Sequence, residues 1–146
     1  MTVEVRETSF EEADAVHQHI PEFGDDHLQQ NHAEKGVPGA DPTYLVASHD
    51  GEPAGYLIAY DKFQDGSYYV WMAGVRPDHR RNGVMSALVS DVLDIARDRG
   101  YDSVKIKTRN ERRGMRHFLI DHGFDVCGFE PVGDLERHEI LHIRDV

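Results

Sequence analysis

The chain has 146 residues, the length of one domain with room for a substantial core. Aspartate and glutamate number 27 against 16 lysines and arginines, and the net charge of −11 excludes the basic face that nonspecific binding to nucleic acid or an anionic membrane needs. A single cysteine, Cys127, excludes an internal disulfide framework, and no apolar run approaches the roughly eighteen residues of a membrane span.

The start of the chain carries Glu4, Arg6, Glu7, Glu11, Glu12 and Asp14, so no leader peptide is expected. Val3–Arg6 alternates as a short strand. Ser9 to Glu12 has the spacing of a capping box, and Phe10, Ala13, Val16 and Ile20 follow at helical intervals until Pro21. Residues 24–41 are polar. His27, Leu28 and His32 suggest a second short helix, closed by Gly36 to Gly39.

The pattern then turns to strands. Tyr44–Ser48, Ala54–Lys62 and Ser67–Val75 are rich in aromatic and β-branched residues, and Asp50-Gly51 and Asp65-Gly66 between them predict tight hairpin turns. After Pro77, an apolar stripe of Met85, Leu88, Val89, Val92, Leu93 and Ala96 predicts a helix that Gly100 stops. Ser103–Thr108 reads as a strand, which makes the intervening helix a crossover. Met115, Phe118, Leu119 and His122 predict another helix, stopped by Gly123, and Phe124–Phe129 and Leu135–Ile143 the closing strands. No linker divides residues 1–146, so the reading is one mixed α/β domain.

Between Val75 and Leu88, a strand ends, two arginines (Arg80 and Arg81) and Gly83 follow, and a helix begins. Amide groups at a helix N-terminus, with the positive end of its dipole, suit a phosphate. The same residues also fit a plain strand-to-helix connection with two surface arginines. The acid-rich balance, with only four lysines (Lys35, Lys62, Lys105 and Lys107), fits multimolar salt, where the screening length falls to about 3 Å. It is similar to that of cytoplasmic proteins of salt-accumulating halophiles, so a cytoplasmic, haloarchaeal-type protein is expected.

Arg80-Arg81-Asn82-Gly83-Val84-Met85 resembles the Q/R-x-x-G-x-G/A motif of the GCN5-related N-acetyltransferase (GNAT) family. The strand ending Val75-Arg76-Pro77, the helix opening at Ser86-Ala87-Leu88, and Gly123-Phe124 after a second helix resemble that family in the same order. A subset of bacterial and archaeal members is more similar still, matching Tyr69, Trp71, Gly74, Val75 and Pro77 before the loop and Lys107, Thr108, Asn110 and Met115 after it. The resemblance implies an α+β fold: a twisted, mostly antiparallel sheet of six to seven strands with about four helices. That sheet splays between the strand ending at Val75 and the strand Ser103–Thr108.

The resemblance also implies acetyl-CoA as co-substrate, with no metal. The pyrophosphate would lie on the loop, Arg80, Arg81, Asn82, Gly83, Val84, Met85 and Ser86, and the acetyl and pantetheine groups along Ala73, Gly74 and Val75. The implied reaction is direct attack on the thioester by a neutral amine, borne by a small molecule or a protein. A non-catalytic acyl-CoA-binding regulator on the same fold is the alternative, and a homodimer is a further family expectation. Three positions depart from the pattern. Met85 replaces a glycine or alanine, Leu119 the tyrosine that often serves as general acid, and Lys107 a glutamate base of some ribosomal-protein members.

Candidates for catalysis therefore come from the chain itself. Tyr69, sharing a strand face with Trp71, is the candidate acid or a core aromatic. Glu22 and Asp61 are carboxylates that either engage the amine or are surface charge. Asn110 either binds cofactor or caps the following helix. A competing motif, His138-Glu139-Ile140-Leu141-His142, matches the zinc-protease H-E-x-x-H, but its residues alternate as a closing strand does. Cys127, in an apolar strand, reads as structural.

Overall fold

A computed structural model of the chain describes residues 2–23, 28 and 39–146. The described residues form seven strands: β1 (Val3–Glu7), β2 (Thr43–His49), β3 (Glu52–Tyr60), β4 (Ser67–Val75), β5 (Ser103–Arg109), β6 (Asp125–Glu130) and β7 (Glu139–Asp145). They make one sheet in the order β1-β2-β3-β4-β5-β7-β6, with every neighbouring pair antiparallel except β4 and β5. Among the described residues three α-helices accompany it, α1 (Phe10–His17), α2 (Val84–Asp98) and α3 (Arg113–Asp121). That is one fewer than the expected four. The helix expected around His27 and His32 lies outside the described residues.

The helices have local causes. Ser9 caps α1, its hydroxyl accepting from the Glu12 amide at 3.3 Å. α2 buries Val84, Leu88, Val89, Val92, Leu93 and Ala96 on one stripe. It ends with the Tyr101 amide reaching back to the Ala96 carbonyl, and α3 ends likewise with Phe124 reaching Leu119. Gly100 and Gly123 take the left-handed conformation those endings require, at φ +88° and +83°.

The parallel β4–β5 pair needs a crossover, and α2 supplies it. α2 and α3 cover one face of the sheet over Leu45, Leu57, Tyr68, Val70, Val104 and Ile106. α1 covers part of the other face, over Val46, Tyr56, Ile58 and Tyr69.

Four local expectations are corrected. Asp50 and Gly51, both at positive φ, make the two-residue turn, but Asp65-Gly66 does not. β3 stops at Tyr60, and residues 61–66 form a loop in which Asp61 accepts from the Gln64 amide at 3.1 Å. The last strand begins at Glu139, because Leu135–Arg137 is a turn of 3₁₀ helix. Cys127 is exposed, because it sits at a register irregularity of the edge strand β6 rather than in an apolar one. The H-E-x-x-H residues run into β7, and the buried His142 ring donates from Nδ1 to the Ile106 carbonyl at 3.3 Å.

Candidate functional site

The parallel ladder between β4 and β5 is short. It runs from Ser67 opposite Ser103 to Val70 opposite Ile106 and goes no further. Beyond it β4 stays with β3 as far as Val75, while β5 stays with β7 as far as Arg109. The divergence coincides with a bulge in β4. Ala59 pairs with Val70 and Ile58 with Met72, so Trp71 is the extra residue. A bulge bends and twists its strand, and here it turns the end of β4 away from β5. The result is a cleft of about 760 Å³, floored by residues 70–75 of β4 and 106–109 of β5. That is the volume of a small-molecule site.

At one mouth of the cleft stands the loop before α2. Arg81 and Gly83 both have left-handed backbones, at φ +65° and +80°. Asn82 fixes the loop by donating from Nδ2 to the carbonyls of His79 at 3.2 Å and Arg80 at 3.0 Å. The first helical bond of α2 joins the Ala87 amide to the Gly83 carbonyl, so the amides of Val84, Met85 and Ser86 have no helical acceptor. Left-handed residues and unpaired amides at the positive end of a helix make an anion-binding concavity. Met85 borders the cleft, but its side chain also packs on the core beneath α2. The Ser86 hydroxyl lies 3.3 Å from His122 Nε2. His122 Nδ1 donates to the Phe118 carbonyl at 2.8 Å, which fixes the ring so that Nε2 faces Ser86.

The opposite wall comes from the turn after α1. Ile20 and Phe23 press on β4 at Gly74, where a Cβ would lie 2.7 Å from each. Glu22 crosses the mouth to Arg80, Oε2 to Nη2 2.6 Å, while Arg80 Nε donates to the Val75 carbonyl at 3.1 Å. Burial raises the Glu22 pKa, but its backbone contact, Arg80 and Arg112 outweigh it and hold the carboxyl below its usual range. Arg112 lies over the Phe23 ring, 5.8 Å from its centre.

The charge of this cleft opposes that of the chain. Arg80, Arg81, Lys107, Arg109, Arg112 and Arg113 line it against Glu22 and Glu111. A protein of net charge −11 thus gathers six of its 16 basic residues around one cavity. Such a cleft concentrates an anionic ligand. The clustering of arginines at 80–81 and 109–116 was a sequence signal for it. Arg112 and Arg113 were missed because no spacing rule brings them to the loop before α2.

The residues singled out by sequence divide into three groups. Ala73, Gly74, Val75, Arg80, Arg81, Gly83, Val84, Met85, Ser86 and Glu22 all border the cleft. Asn82 stands behind it and organises the loop. Tyr69, Asp61 and Asn110 do not line it. Tyr69 is buried on the α1 side, edge-on to Tyr60 at 5.9 Å and Phe63 at 5.4 Å, and burial raises its pKa. Asp61 closes the β3–β4 loop. Asn110 neither lines the cleft nor caps α3, whose N-cap is Arg112. It donates to the Leu135 carbonyl at 3.1 Å and accepts from Arg116 at 3.0 Å.

A family model described as "Acetyltransferase (GNAT) family" matches residues 5–124. Among curated proteins, none matches the chain by sequence. Solved structures with the same fold include Ard1 from Thermoplasma volcanium, with TM-score 0.79 and 19% identity, covering 100% of this chain and 99% of that one. The ribosomal-protein-S18-alanine N-acetyltransferase from Escherichia coli gives 0.77 at 14% identity, covering 99% and 94%. A Bacillus anthracis protein assigned as a streptothricin acetyltransferase, in complex with acetyl coenzyme A, gives 0.74 at 14% identity, covering 100% and 99%.

Proposed function

The chain belongs to the GNAT acetyltransferase family, and we propose that it moves an acetyl group from acetyl-CoA to a primary amine by direct attack. The observation that carries this reading is the open edge of β4 beyond Val70, with an anion-binding loop at one mouth of the same cleft. Thr108 tests the fit. Its hydroxyl is buried with no hydrogen-bond partner among the described residues, and the residue borders the cleft, so a polar ligand group that reaches the hydroxyl as the cleft fills would satisfy it.

In this reading the loop amides from Arg81 to Ser86 hold the pyrophosphate, and Arg81, Arg112 and Arg113 neutralise the phosphates. Ala73, Gly74 and Val75 offer backbone groups to the pantetheine arm, as a strand edge does to an added strand. A β4 amide steadies the carbonyl oxygen while the amine nitrogen bonds to the thioester carbon and the carbon–sulfur bond breaks. The amine proton leaves to solvent or a basic group, and the thiolate takes up a proton. Glu22, already ionised and tied to Arg80, orders the mouth of the cleft rather than taking that proton. A cytoplasmic, high-salt setting fits the acidic surface.

Two observations favour the second reading, an acyl-CoA-binding regulator: among the described residues no tyrosine lines the cleft, and Leu119 is fully buried in the core. The two are separated by measuring CoA binding calorimetrically and thiol release from acetyl-CoA with an amine panel in multimolar KCl. Binding with turnover supports the transferase, binding without turnover the regulator. Absence of binding refutes both.

A further inference from the structure

A second group of titratable side chains lies behind the loop and has no part in the chemistry above. His49 ends β2, and His79 lies in the 3₁₀ turn Pro77–His79 that leads into the loop. Both are buried, 8% and 7% exposed. Their Nδ1 atoms are 3.0 Å apart, and the rings meet edge-on at 83°. A hydrogen bond between two imidazole nitrogens needs one donor and one acceptor, so one Nδ1 carries a proton and the other is bare.

The outer nitrogens decide the total. Each Nε2 is buried without a hydrogen-bond partner. Asp50 Oδ2 lies 3.6 Å from His49 Nε2, and Glu52 Oε2 and Asp78 Oδ2 lie 3.3 and 4.0 Å from His79 Nε2. These three carboxylates come from the β2–β3 turn, β3 and the 3₁₀ turn, so they face the rings from separate parts of the chain. Arg76 stands behind Asp78 at 3.9 Å. A bare lone pair facing a carboxylate is repelled, whereas an N–H is attracted. With a proton on each Nε2 and one between the Nδ1 atoms, four nitrogens hold three protons and one positive charge.

We propose that His49 and His79 form an imidazole–imidazolium pair sharing one proton, and that this pair positions the loop for the anionic end of the acyl donor. The second half rests on the acyl-CoA reading above. The coupling is short. The His79 carbonyl accepts from Asn82 Nδ2, the amide that shapes the loop, and His79 is one of the residues that border the cleft. His49 belongs to the β2–β3 hairpin, so the pair ties the loop to a fixed part of the sheet. Losing one of the three protons leaves either two bare Nδ1 lone pairs face to face or a bare Nε2 against a carboxylate. Gaining another sets two donors face to face at 3.0 Å. Either change displaces His79.

Nitrogen-15 NMR of the labelled wild-type protein tests the proton count. The expected spectrum near neutral pH shows protons on both Nε2 atoms and on one Nδ1. Two protonated nitrogens in all, or four, overturns the pair. Calorimetric CoA affinity across pH tests the positioning. His49→Gln is expected to weaken CoA about five-fold at the wild-type optimum, the loss of one net hydrogen bond, and to flatten the pH profile. A wild-type profile retained in His49→Gln overturns the positioning role. Failure of the wild-type protein to bind CoA at any pH refutes the acyl-CoA reading, while the NMR result judges the proton-sharing pair separately.

Discussion

Tyr69→Phe separates a buried aromatic from a general acid. The ring lies edge-on to Tyr60 and Phe63, with Lys62 Nζ 4.8 Å from its centre, and phenylalanine keeps those contacts. Only the hydroxyl is lost, worth about 1 kcal/mol or less. In a domain of this size that shifts Tm by about 4 °C at most. The hydroxyl is outside the cleft lining, so kcat is expected within about two-fold of wild type. An essential acid would cost on the order of 10²–10⁴ in rate. Steady-state kinetics with acetyl-CoA and the best amine of a panel, beside a thermal melt, reads both quantities. A hundred-fold fall in kcat with unchanged Tm and CoA affinity would show that Tyr69 reaches the reacting atoms, and would refute the assignment of faces around the Trp71 bulge.

Three further outcomes are expected. Burial lowers the His142 pKa, so the unfolded chain takes up the proton more readily and stability declines as pH falls below about 6.5. His142→Leu should flatten that slope in denaturant titrations, and an unchanged slope would place the effect elsewhere. Gly74→Ala drives a Cβ against Ile20 and Phe23 and should cost about 1–3 kcal/mol by chemical denaturation; a neutral result would mean that this wall yields freely. Glu22 is held ionised, so Glu22→Gln should leave the acid limb of the kcat profile in place. Loss of that limb in the variant would make Glu22 the base.

Sequence legibility followed the range of the forces involved. β4 ran over the expected residues, Ser67–Val75, and α2 began right after Gly83, because glycine, proline and apolar period act locally. Asp65-Gly66 misled for a local reason too: Asp65 turns its carboxylate onto the Ser67 amide and hydroxyl, at 3.0 and 2.5 Å, and caps the strand start instead of making a two-residue turn. The cleft's loop was legible as a motif. Its other contributors were not. Arg112 meets Phe23, and His79 meets His49, across sheet and helix, where no periodicity records a meeting. Cys127 looked internal because its neighbours are apolar, but β6 is the sheet's last strand and leaves Val126 and Phe129 exposed as well.

The four-pair ladder between β4 and β5 has a mechanical consequence. Its closed end is bolted: Arg99 donates to Thr43 at 2.9 Å and Tyr68 at 3.1 Å, and the Asp102 amide to the Gly66 carbonyl at 2.8 Å. At its open end the β4–β5 ladder stops after Val70 and Ile106. The sheet therefore works as a clothes-peg, stiff at the spring and free at the jaws. Amide hydrogen exchange should grade along one strand, slow from Ser67 to Val70 and faster from Trp71 to Val75. A ligand that adds itself as the missing strand clamps the jaws, so the two halves of the molecule are most firmly joined when the cleft is full.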